Sequence, residues 1–101
     1  MRASLVAPIN ASRALFPLGQ TFATLGAVAL EASNQSPGDF LNRHVRGDWG
    51  TVDAEDRQAN DRAVVEGTRI LSAYVTAKNV RLWVITEADR SSTCLLLPEE
   101  Y

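Results

Sequence analysis

From Arg69 to Pro98 the chain reads as three apolar runs separated by short polar breaks: RILSAYVT (69–76), VRLWVIT (80–86) and STCLLLP (92–98), joined through AKN and EADRS. Runs of this length, rich in branched and aromatic residues, predict a three-stranded antiparallel meander. In the middle strand Val80, Leu82 and Val84 fall on one face and Trp83 and Ile85 on the other. Both faces are apolar, as expected of a central strand covered on both sides. In the first strand Leu71, Ala73 and Val75 share a face, while Ser72 and Tyr74 bring polar tips to the opposite one. An outer face of Tyr74, Trp83 and Ile85, left uncovered, would predict a homodimer.

Upstream the period lengthens to that of helices. Ser36, Pro37 and Asp39 read as N-cap, N1 and N3 of a helix over about 37–45, with Phe40, Leu41, His44 and Val45 on one side and Gly47 as its stop. Asp53 and Asp56 open a third helix over about 54–66, with Glu55 in its first turn and Gly67 at its end. Its apolar stripe, Ala59, Ala63 and Val64, is narrow. Thr24 caps an earlier, mostly apolar helix over about 25–33. Pro17 and Gly19 break residues 14–24 into an extended or edge-strand segment, and residues 1–13 read as a flexible N-terminal arm. The fold class is therefore α+β: two to three short helices followed by a three-stranded antiparallel meander, a single domain over 14–101.

Composition narrows the function classes. A net charge of −2 and a pI near 5.3 argue against electrostatically driven binding to nucleic acid or anionic membranes. No apolar run approaches the roughly 18 residues of a membrane span. Cys94 is the only cysteine, so no disulfide forms within the chain and a reducing, cytoplasmic setting is expected. In its apolar run it reads as a small hydrophobe.

The chemistry-bearing stretch is RHVRGDWGTVDAEDRQANDRA (43–63), with the only histidine and acids at 48, 53, 55, 56 and 61. Its spacing matches no zinc or calcium pattern, and the acids at 53–56 already serve as helix-start residues, so no metal is predicted. No nucleophile motif or phosphate loop is present, and no cofactor is expected. A metal-independent ribonuclease-like reading would make His44 the acid/base, Arg69, Arg81 and Arg90 the phosphate partners, and Tyr74 and Thr93 hydrogen-bonding groups. The competing reading is a histidine at a helix C-terminus, favoured by the dipole and packed beside Trp49. A second segment, TEADRSST, gathers Glu87, Asp89 and Arg90 into one turn. It reads either as hairpin chemistry or as a recognition loop. An exposed Trp49 would add to such a binding surface.

The segments LGQTFATLGA, SPGDFLNRHVRGDWG, DRQANDRA, GTRILSAYVT and LWVITEADRSSTCLLLPEEY resemble a group of short bacterial proteins carried on conjugative plasmids and integrative elements, the plasmid-related protein group. The chain departs from that pattern at Leu25, where proline is usual, at Cys94, where threonine is usual, and at the AKN turn, where a glycine is usual. Residues 1–13 lie outside the shared region. The resemblance implies an accessory protein of a mobile genetic element in a bacterial cytoplasm and brings no catalytic residues with it. The leading expectation is a non-enzymatic module binding a protein partner through Trp49, Glu87, Asp89 and Arg90, for host-defence interference or element maintenance. The alternative is an RNase-like enzyme or toxin using His44 with Arg69, Tyr74 and Arg90.

Overall fold

A computed structural model describes residues 14–28 and 35–101. The arm assigned to 1–13 and the second half of the helix assigned to 25–33 lie outside the described residues. The elements are β1 (Gln20–Ala23), α1 (Leu25–Val28), α2 (Pro37–Val45), α3 (Ala54–Glu66), β2 (Ile70–Val75), β3 (Arg81–Thr86) and β4 (Ser92–Leu96), followed by a 3-10 turn over Pro98–Glu100.

Helix ends follow local chemistry. The Asp39 carboxylate accepts from the Ser36 backbone N–H, closing the start of α2 around Pro37. Asp53 accepts from the N–H of Asp56 at 2.8 Å, and Gly67 ends α3 in the left-handed region at φ 77°. At α1 the Thr24 hydroxyl accepts from the N–H of Ala27, and the Glu100 carboxylate reaches back to accept from the N–H of Gly26.

The meander forms as its pattern predicts, with β2–β3 and β3–β4 antiparallel, but the sheet is larger than three strands. Gln20–Ala23 adds beside β4 in parallel, Phe22 opposite Cys94, so the order is β1-β4-β3-β2 and the sheet is mixed. The sheet is thus not the purely antiparallel three-stranded one expected, because a fourth, parallel strand joins it. The pairing joins opposite ends of the chain, so no turn between neighbouring runs announces it.

Strand register also regroups the faces. Tyr74 pairs with Leu82 and therefore shares its face, not that of Trp83 and Ile85. The helix-covered face carries Ile70, Ser72, Tyr74, Leu82, Val84, Thr86, Thr93 and Leu95, all buried. The opposite face carries Leu71, Ala73, Val75, Trp83, Ile85, Cys94 and Leu96. Tyr101 folds against Trp83 there, ring centroids 5.6 Å apart. Two apolar clusters form the core: Phe16, Val45, Trp49, Val52, Ala63 and Ile70 in one, and Ala27, Phe40, Tyr74, Leu82, Val84 and Leu95 in the other.

The two sheet edges are treated differently. Along β2, the Asn60 side-chain amide donates to the Leu71 carbonyl and accepts from its N–H, imitating a neighbouring strand. Two residues on, Ala73 N–H donates to the Trp49 carbonyl and Ala73 C=O accepts from Thr51 N–H at 2.7 Å. Gly50 makes this crossing feasible: at φ 77°, a Cβ there would lie 1.9 Å from the Ala73 carbonyl oxygen. Among the described residues, no strand pairs with the outer edge of β1.

Candidate functional site

The third turn of α2 drives His44 inward onto the sheet, where it is fully buried. Its ring lies edge-on to Phe16 and Trp49. Nδ1 lies 2.6 Å from Ser72 Oγ and Nε2 lies 2.9 Å from Thr86 Oγ1. Thr86 Oγ1 is in turn 2.7 Å from Thr93 Oγ1, and Thr93 donates to the Leu18 carbonyl at 2.7 Å.

Counting protons gives this chain a direction. A carbonyl can only accept, so the Thr93 hydroxyl proton goes to Leu18. Thr93 Oγ1 then accepts from Thr86, whose own oxygen must accept from His44. The proton of the neutral ring therefore sits on Nε2, and Ser72 donates to Nδ1. Among the described residues every buried side-chain polar atom is satisfied. The dipole-favoured cation expected at the C-terminus of α2 is not what forms. Burial, with a smaller contribution from the Arg90 charge, lowers the His44 pKa to about 4 and keeps the imidazole neutral.

The other residues assigned to a ribonuclease-like site do not gather around this ring as an open site. Arg69 extends toward the exposed Glu87 carboxylate at 3.9 Å and over the Tyr101 ring. Tyr74 faces the core and donates to the Asp48 carbonyl at 2.7 Å. Burial pushes its pKa up to about 12. Arg81 is exposed at the start of β3. Thr93 is within the hydroxyl chain.

Arg90 has a structural post. Its guanidinium donates to the carbonyls of Ala63 and Thr68 at 2.8 and 2.7 Å and to those of Glu87 and Ala88 in its own turn. It thereby clamps the β3–β4 turn to the end of α3 while lying over Phe16. Its backbone is left-handed at φ 61°. Trp49, expected to strengthen a binding surface if exposed, is instead 3% exposed, with Nε1 donating to Asp61. Burial of the indole in the Phe16 cluster accounts for this.

Of the binding candidates, Glu87 and Asp89 remain at the surface. Asp89 accepts from both the backbone N–H and the hydroxyl of Ser91, which hold its carboxyl below the usual carboxylate range. The turn is thus a preformed acidic tip on an arginine-anchored base.

Sequence reasoning missed Ser72, Thr86 and Asn60 as structural polar groups. Hairpin register was the available signal for the hydroxyls: once β3 and β4 pair, Thr86 faces Thr93. Among the described residues, no group of three or more His, Cys, Asp or Glu side chains could hold a metal ion, and no helix is long and apolar enough to cross a membrane. Compared with known proteins, the chain matches no family model, no curated protein and no solved structure.

Proposed function

We propose that this chain is a non-enzymatic protein-binding module whose contact surface is the β3–β4 turn, serving as an accessory protein of a bacterial mobile element. The carrying observation is the pairing of exposed Glu87 and Asp89 with a turn that Arg90 locks through four carbonyls. A surface already held in one conformation loses little freedom on binding. Two carboxylates at its tip fit a basic patch on a partner protein. Support for the mobile-element setting comes from the sequence resemblance, and host-defence interference or element maintenance would be the task.

Against the nuclease reading stands the burial of His44. Both of its ring nitrogens are occupied by hydroxyls, and the Arg90 guanidinium is taken up by backbone carbonyls.

The test is affinity capture from a bacterial host lysate with wild-type protein and with a Glu87→Lys/Asp89→Lys double variant. A partner held by the wild type and lost from the variant is the expected result. Equal capture by both, or none by either, defeats the reading. Purified wild-type protein is also incubated with total RNA, and cleavage would move the assignment to the nuclease class.

A further inference from the structure

We propose that β1 is the surface through which two copies of this chain pair, edge to edge and antiparallel, into one continuous eight-stranded sheet. The inference is independent of the partner-binding reading.

The two edges of the sheet differ. Open N–H and C=O groups on a sheet edge are a template for another strand, and soluble proteins ordinarily blunt them. Here β2 is blunted twice, by the Asn60 amide at Leu71 and by the Trp49–Thr51 crossing at Ala73. On β1, Gln20 N–H donates to Ser91 and Thr24 N–H donates to Leu95. Alternation along the strand then turns the N–H and C=O of Thr21 and Ala23 away from β4. Among the described residues nothing pairs with them. All four β1 residues are exposed, and the strand contains neither charge nor proline.

A second copy fits this edge by symmetry. An antiparallel two-fold pairing centred on Phe22 sets Thr21 of each copy opposite Ala23 of the other. Each such pair exchanges two N–H to C=O bonds, four in all. Phe22 then meets its own copy at the closely spaced, non-hydrogen-bonded position, where aromatic side chains stabilise a pair. Phe22 is 52% exposed in the single chain, and Leu25 just beyond the strand is 89% exposed. Self-pairing sets like against like, so a charged β1 would repel itself. An uncharged QTFA strand is electrostatically compatible with its own copy. Because Phe22 shares its face with Cys94, the pairing also joins the helix-free faces of both copies into one surface.

The experiment is sedimentation or light scattering of the full chain, alone and as Thr21→Pro. Proline at this position removes an outward N–H and leaves the β1–β4 bonds of Gln20 and Thr24 intact. The expected result is a wild-type mass twice the 11.0 kDa of one chain and a Thr21→Pro mass of one chain, with the same circular dichroism.

A covalent readout covers the case in which the proline variant misfolds. Phe22→Cys in a Cys94→Ser background sets two thiols opposite each other at about 4.5 Å between Cα atoms, within disulfide reach. Most of the protein should cross-link as a dimer on mild oxidation. A monomeric wild type, a dimer that persists in folded Thr21→Pro, or failure of the thiols to cross-link would overturn the proposal.

Discussion

The helix-covered face of the sheet carries Ser72, Thr86 and Thr93 at its heart, whereas the opposite, partly open face carries Leu71, Ala73, Trp83, Ile85 and Cys94. The inner face also carries Ile70, Tyr74, Leu82, Val84 and Leu95, so its three hydroxyls sit inside an otherwise apolar core. What permits the arrangement is that the inner polar groups form a closed chain with His44 and the Leu18 carbonyl, leaving no lone donor in the core. A satisfied hydroxyl costs little to bury; an orphaned one costs about 1–3 kcal/mol. The outer apolar face needs only partial cover, because apolar atoms are ordinary at protein surfaces.

If that contrast is right, damage to the inner polar groups should exceed damage to the outer face. The largest effect is expected from His44→Ala, which leaves a cavity and strands Ser72 and Thr86 together. A loss of about 4 kcal/mol in urea unfolding is expected, and a loss under about 1 kcal/mol would mean the chain is not closed as described.

Next comes acid. The folded His44 pKa of about 4 lies below the ordinary histidine value of 6.5. An unfolded chain therefore takes up a proton that the folded one refuses. Stability should fall as pH drops from about 6.5 and level near 4, by about 3 kcal/mol in total at 1.36 kcal/mol per pH unit. Unfolding curves across that window, compared with His44→Gln, check it. The same slope in both proteins would assign the effect to other groups.

Smaller still is a matched pair of near-isosteric changes. Thr86→Val removes the acceptor for His44 Nε2–H and should cost about 2 kcal/mol. Val75→Thr, on the exposed end of the outer face, should change stability by less than about 0.5 kcal/mol. Equal costs would erase the distinction between the faces.

Much of the local architecture was legible in the sequence because local rules govern it. Ser36, Pro37 and Asp39 start α2, Asp53 and Asp56 start α3, and Gly67 stops α3, each through contacts within a few residues. The meander was legible for the same reason, since its turns are short. What could not be read depends on distant partners. β1 finds β4 from the other end of the chain, and the pairing of Tyr74 with Leu82 turns it inward, where its hydroxyl donates to the Asp48 carbonyl. At the candidate site, Glu87 and Asp89 remained where a turn places charged residues. Trp49 and Arg90 went elsewhere, to Asp61 and to the end of α3, through contacts that no spacing encodes.

The bond from Thr93 to Leu18 spans 75 residues, and this has a consequence for synthesis. A ribosome adding about 5–20 residues per second takes on the order of ten seconds to travel that distance. Throughout that interval the β1 segment has been made while the strand it will lie against has not. The histidine likewise waits for the last hydroxyl of its chain. Completion of the core is therefore timed by the arrival of β4.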